Sequence, residues 1–193
     1  MYRVNDIFYS LQGEGRNTGR TAVFVRFSGC NLHCDFCDTD FSHYEELTAA
    51  DIVSRMKQAV GNDDVNGVLV VLTGGEPTLQ VDAALIDAIH AAGFPQTAME
   101  SNGTKLPPDN LDWLTVSPKQ KPAVRRCNEL KVVFDGTTPV EDYGIEAEYY
   151  YLQPMDTGNG EQNRKITTAC VEFIKRQPRW RLSLQTHKLI DIK

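Results

Sequence analysis

Residues 22–37 read Ala22-Val23-Phe24-Val25-Arg26-Phe27-Ser28-Gly29-Cys30-Asn31-Leu32-His33-Cys34-Asp35-Phe36-Cys37. A short strand-forming run, Ala22 to Phe27, stops at Ser28-Gly29 and delivers three cysteines at C-x3-C-x2-C spacing. The next apolar run, Val68-Leu69-Val70-Val71-Leu72, lacks polar alternation, as a strand covered on both faces requires. Between the two, Thr48 with Asp51 three residues on opens a helix that runs to about Val60 and stops at Gly61. Strand, crossover helix and strand build a parallel sheet, which presents ligands at its carboxyl-terminal edge.

Working outward, Leu79, Ala83, Ile86 and Ile89 predict a helix from Pro77 to Ala92, ended by Gly93 and Pro95. Thr97–Glu100, Leu114–Ser117, Leu130–Phe134 and Tyr149–Leu152 read as successive strands. A last helix over Asn163–Gln177 leads to a strand, Arg181–Gln185. A complete eight-fold barrel takes about 250 residues and at least about 200. With 193 residues, the expectation is an α/β fold: a partial, trimmed (β/α) barrel, in one domain spanning 1–193.

The composition is globular, at 41% hydrophobic and 24% charged residues, and neither disordered nor low-complexity. No apolar run approaches the roughly 18 residues of a membrane helix, and Met1 to Asp6 carries no signal-type segment. The expected compartment is the cytoplasm, where thiols stay reduced. The net charge of −6 leaves residues 1–160 acidic and makes 161–193 basic, with 8 basic against 3 acidic side chains. An acidic body excludes general nucleic-acid coating, and the basic end reads as the solvated face of the last helix. Five cysteines, three of them clustered, make a poor disulfide framework. Cys127 and Cys170 stand apart and read as small buried hydrophobes.

Three thiolates in one loop can hold three irons of a cubane and leave the fourth open to a chelating ligand. A zinc site is the alternative, with His33 or His43 as a fourth ligand. One strand later, Thr73-Gly74-Gly75-Glu76-Pro77 would let backbone approach a ligand at the glycines, with Glu76 accepting from an ammonium group. Its plainer reading is a turn into a helix with Pro at the first position.

The cysteine spacing, with Phe36 before Cys37, and Gly74-Gly75-Glu76-Pro77 together resemble the radical S-adenosylmethionine superfamily. That resemblance implies a [4Fe–4S] cluster on Cys30, Cys34 and Cys37. It also implies S-adenosylmethionine chelated to the open iron and cleaved reductively to a 5′-deoxyadenosyl radical.

The remaining motifs are similar to one member family, the 7-carboxy-7-deazaguanine synthases, in the same order over nearly the whole chain. Tyr9-Ser10-Leu11-Gln12-Gly13-Glu14-Gly15 resembles that family's substrate loop, and Arg26 its carboxylate-binding arginine. Cys37-Asp38-Thr39 resembles the segment whose threonine joins a Mg²⁺ site. The resemblance implies cofactor contacts at Phe36, Cys37, Asp38, Gly74, Gly75, Glu76, Glu100, Asn102, Ser117, Pro118, Lys119 and Gln153. It implies substrate contacts at Leu11, Gln12, Gly13, Glu14, Arg26, Thr73, His187 and Lys193. Two departures stand out: Ser101 replaces the more usual threonine, and Lys193 replaces the proline whose carboxylate touches substrate in many members.

The activity so implied is radical contraction of 6-carboxy-5,6,7,8-tetrahydropterin in queuosine biosynthesis. It needs an external electron donor such as flavodoxin or ferredoxin, and the family resemblance suggests a homodimer. Rival readings are a glycyl-radical activase, which shares the cysteine spacing but needs a protein substrate, and a non-enzymatic iron–sulfur or zinc module. The substrate-type loop and the Gln185-Thr186-His187-Lys188 segment favour a small molecule.

Overall fold

The computed structural model describes residues 1–193 except 35–36, 38–41 and 62–63. In chain order its elements are β1 (Tyr2–Leu11), β2 (Thr21–Phe27), β3 (Glu45–Leu47), α1 (Ala49–Val60), β4 (Leu69–Gly74), α2 (Ala83–Ala91) and β5 (Gln96–Ser101). β6 (Trp113–Val116), β7 (Arg126–Phe134), β8 (Glu146–Pro154), α3 (Gly160–Arg176), β9 (Trp180–Leu182) and a one-turn α4 (Thr186–Leu189) follow.

Among the described residues nine strands form one sheet in the order β3-β1-β2-β4-β5-β6-β7-β8-β9. β2 and β4 to β9 run parallel, while β1 pairs antiparallel with both β2 and β3. Among the described residues no ladder joins β3 to β9, so the barrel is partial and open. Among the described residues helices occupy three of the crossovers, which is how the fold fits a short chain.

Period two along each strand divides the sheet's faces. Val23, Val25, Phe27, Val70, Leu72 and Met99 face the helices, where they meet Ile52 and Met56 of α1 and Leu85, Ile86 and Ile89 of α2. Cutting a buried residue such as Ile86 to Ala should cost about 2–5 kcal/mol. The other face carries a smaller cluster of Ala22, Leu69, Val71 and Ala98, flanked by Phe24 and Trp113. Parallel register sets Ala22, Phe24 and Arg26 beside Leu69, Val71 and Thr73. The inner row therefore turns from apolar to polar as it nears the carboxyl ends of the strands.

Several elements depart from expectation. β1 escapes a pattern reading because its register shifts between Val4 and Asp6, which breaks the two-residue alternation. β3 is only three residues long. The helix expected from Pro77 is a 3₁₀ turn over Pro77–Leu79 followed by a fresh start at Asp82, whose carboxylate accepts the Leu85 N–H. α3 begins earlier than Asn163, because Asn159 caps it by accepting from Glu161 and Gln162. The strand expected to reach Gln185 ends at Leu182, and the chain turns into α4. Cys127 and Cys170 are buried as expected. Burial pushes their thiols up to about 12 and about 11, which keeps both unreactive.

Candidate active site

An open cavity of about 760 Å³ lies over the carboxyl ends of the strands. Its walls come from the loop after β1, the cysteine loop, the ends of β4, β5, β7 and β8, and the tail around α4.

The glycine pair works on backbone. Gly74 has φ +111°, and a Cβ there would strike the main chain of Phe27. A Cβ on Gly75 would strike the Gly29 carbonyl. Gly75 donates to the Phe27 carbonyl at 2.8 Å and Glu76 to the Gly29 carbonyl at 2.9 Å. β4 is thereby clamped to the chain entering Cys30.

Glu76 is 1% exposed, and its carboxylate is largely engaged by the protein itself. Oε1 accepts from Thr78 N–H (3.1 Å), Thr78 Oγ1 (2.6 Å) and Ser101 Oγ (2.8 Å), while Oε2 accepts from Asn102 N–H (2.7 Å). Oε2 takes only one of these four bonds, so one of its lone pairs remains for an ammonium group. Ser101 thus uses the hydroxyl it shares with threonine. Asn102 in turn donates to Asn31 (3.0 Å), and Asn31 to Thr104 (2.8 Å), which ties the cysteine loop to the end of β5.

Cys30, Cys34 and Cys37 all line the cavity. The Cys37 N–H donates to the Cys34 carbonyl at 3.0 Å, and the Leu32 N–H points to Cys30 Sγ at 3.4 Å. Among the described residues no three His, Cys, Asp or Glu side chains gather to hold a single metal ion. Three thiolates spread along a cavity wall do suit a cluster of several irons with one corner facing the cavity. His33 is exposed and lies outside that wall, its ring 3.0 Å from the Leu32 carbonyl. Phe36, Asp38 and Thr39 lie outside the described residues.

The same cavity wall holds a buried ionic ring. Lys131 of β7 reaches Glu14 at 2.5 Å and Glu100 at 3.0 Å. Gln185 donates to the other Glu14 oxygen at 3.0 Å, and Gln12 to the other Glu100 oxygen at 3.3 Å. Burial would raise the Glu14 carboxyl, but the charge and hydrogen bond of Lys131, with Gln185 and His187, hold it at about 2. Burial likewise opposes the Lys131 charge, yet Glu100, Glu14 and Glu129 keep its ammonium protonated far above the ordinary lysine range. Glu129 is pushed up to about 7 by burial and the nearby Glu100 charge. Burial and the Lys131 charge bring Lys119 down to about 8.

Arg26 crosses the inner face with its guanidinium 5.3 Å from the centre of the Phe8 ring, which stacks on Phe24 at 4.8 Å. Its Nε is buried and has no hydrogen-bond partner among the described residues. His187 and Lys193 close the same cavity from the tail. Lys193 pairs with Asp6 at 2.7 Å, and its main-chain oxygen accepts from Ser10 Oγ at 2.6 Å.

Every described residue expected at a site lines this cavity except Pro118, which sits between two that do. Sequence reasoning missed Lys131, Phe8 and Phe24, whereas Gln185 belongs to the Gln185-Thr186-His187-Lys188 segment it had singled out. The available signal for Lys131 was a charge inside an otherwise apolar strand, Leu130-Lys131-Val132-Val133, where a doubly covered strand should carry none.

The radical SAM superfamily model matches residues 24–117. A 7-carboxy-7-deazaguanine synthase from Bacteroides thetaiotaomicron is 46% identical, with 100% of both chains covered. One from Bradyrhizobium diazoefficiens is 43% identical over 100% of this chain and 99% of its own. A crystal structure of QueE from Escherichia coli is similar at TM-score 0.71 and 26% identity, covering 95% of this chain and 93% of that one.

Proposed function

The chain belongs to the 7-carboxy-7-deazaguanine synthase family, and from that premise we propose how its cavity serves the family's reaction. The reaction contracts 6-carboxy-5,6,7,8-tetrahydropterin to 7-carboxy-7-deazaguanine with loss of ammonia, in queuosine biosynthesis. The enzyme is a radical S-adenosylmethionine lyase that uses a [4Fe–4S] cluster, S-adenosylmethionine and Mg²⁺. When bound, these groups supply the one-electron chemistry that opens the reaction, and the protein positions and shields it.

Cys30, Cys34 and Cys37 would hold the cluster. Gly74, Gly75, Glu76, Glu100, Asn102, Ser117, Lys119 and Gln153 would seat S-adenosylmethionine, together with Phe36 and Asp38 from the cysteine loop. Thr39 would give an oxygen to Mg²⁺, a hard cation that takes oxygen ligands. Leu11, Gln12, Gly13, Glu14, Thr73, Arg26, His187 and Lys193 would enclose the pterin.

One observation carries the substrate reading: the buried Arg26 Nε has no acceptor among the described residues. A buried donor without a partner costs about 1–3 kcal/mol, and a substrate carboxylate would satisfy it. Glu14, held ionised, suits the donor-rich guanidine-like edge of a pterin.

The whole chain would act as one domain, with 9–15 and 185–193 as its substrate-contacting segments. Flavodoxin or ferredoxin would supply the electron, and the working form would be a cytoplasmic homodimer. No helix among the described residues is long and apolar enough to cross a membrane.

The test is anaerobic reconstitution followed by incubation with reductant, S-adenosylmethionine, Mg²⁺ and the carboxylated pterin. Formation of the deazaguanine with release of ammonia is expected. Cluster-loaded enzyme that cleaves S-adenosylmethionine but leaves the pterin unchanged would overturn the reading.

A further inference from the structure

We propose that Lys131 is a positioning residue that holds Glu14 as an acceptor for the donor edge of the substrate, tying it to Glu100 on the cofactor side of the cavity. The identity of that substrate rests on the function proposed above.

Lys131 is 4% exposed and lies on the inner row of β7, beside Tyr151 of β8 in register. Its ammonium joins segments far apart in sequence: Glu14 follows β1, Glu100 belongs to β5, and Lys131 itself is on β7. The ring closes further out. Gln12 donates to Glu100 and accepts from the Glu14 N–H at 3.3 Å, and Gln185 brings in the tail.

Two carboxylates this close, in a buried setting, would repel or share a proton unless a cation stood between them. Glu129 adds a third acid behind them, its Oε2 accepting the Arg16 N–H at 2.9 Å. Buried ion pairs are weak sources of stability, because desolvation offsets most of the attraction. A buried lysine between two cavity-wall carboxylates therefore points to a task at the site. That task is to keep Glu14 ionised and at a set separation from Glu100, so that the substrate meets an acceptor there and never a carboxylic O–H. The charged groups facing Glu14 are Lys131, Glu100 and Glu129 on the strands, His187 on the tail and Lys119 across the cavity. Of these, only Lys131 touches both carboxylates.

The experiment compares the full, anaerobically reconstituted enzyme with K131M, K131Q, E14Q and the double variant K131M/E14Q, over a range of pH. In the single lysine variants KM for the pterin should rise at least about tenfold, with kcat changing far less. That rise should grow as pH falls, because Glu14 now takes up a proton that Lys131 had excluded. The double variant should be no worse than E14Q, since the lysine acts through that carboxylate. A K131M enzyme with unchanged KM and pH profile, or a double variant showing additive losses, would overturn the proposal.

Because lysine variants can fail to fold, the unmutated protein is also titrated by NMR with ¹³C-carboxyl-labelled glutamate, Glu14 being assigned through E14Q. Glu14 should stay ionised below the ordinary carboxylate range near about 4.3. Titration within that range would overturn the proposal whichever variants fold. If the unmutated enzyme leaves the pterin intact, the proposed function fails, and the NMR titration still decides the hold of Lys131 on Glu14.

Discussion

Thr186 donates twice to the Gly13 carbonyl, from its N–H at 3.0 Å and from its hydroxyl at 2.9 Å. The tail is thereby fastened to the loop after β1, and His187 is set against Gly13 so closely that a Cβ there would run into the imidazole. Gly13→Ala should displace His187, and His187→Ala should remove it. Each is expected to weaken pterin turnover by about 2–5 kcal/mol if His187 pairs with the substrate carboxylate. Steady-state kcat/KM on the pterin measures this, and full activity in either variant would take His187 out of the site.

The three cysteines should act as one unit. Replacing Cys30, Cys34 or Cys37 by Ala is expected to abolish the cluster's absorbance and paramagnetic signal together with cleavage of S-adenosylmethionine. Cys127→Ala should leave iron content unchanged, since that thiol is buried on the helix-facing side. Equal iron content in Cys34→Ala and Cys127→Ala would refute the assignment.

Thr39→Ala should raise the Mg²⁺ concentration needed for half-maximal turnover while the cluster stays intact. A hydroxyl lost from a hard-cation site removes an oxygen ligand that water replaces less firmly. Superimposable Mg²⁺ titrations of variant and parent would remove Thr39 from the site.

Glu129 should make stability depend on pH. Its folded-state pKa is raised to about 7, so its favourable contribution is complete below the ordinary carboxylate value and fades as pH rises through about 7. In Glu129→Gln that fading should vanish, leaving the variant the more stable at about pH 8 by an amount on the order of 1–3 kcal/mol. Urea unfolding of both proteins at about pH 5 and pH 8 reads the difference. Identical pH slopes would show that Glu129 titrates as an exposed carboxylate does.

Much of the molecule is legible in its sequence. Strand residues 22–27, the capped helix from Thr48 and the cysteine and glycine loops are local signals, carried by spacing that neighbouring residues impose on one another. The motif resemblances then named site residues of which all the described ones but Pro118 line the cavity, though they left out wall residues such as Phe8, Phe24 and Lys131. β1 was not legible, because a register shift at Val4/Asp6 hides its alternation. The helix expected at Pro77 was set too long, because Asp82 restarts it with a side-chain bond that propensity does not announce.

What tertiary structure alone decided is which partner each polar group meets. Sequence placed Glu76 beside the glycines, but only folding shows that Thr78, Ser101 and Asn102 occupy most of its carboxylate. Sequence marked Glu14 and Glu100 as site residues 86 positions apart. Only the parallel stacking of β5, β6 and β7 brings a lysine between them. The reason is physical: covalent neighbours set dihedral preference and period, whereas the energy of a buried charge depends on groups that the chain brings near only after the sheet has formed.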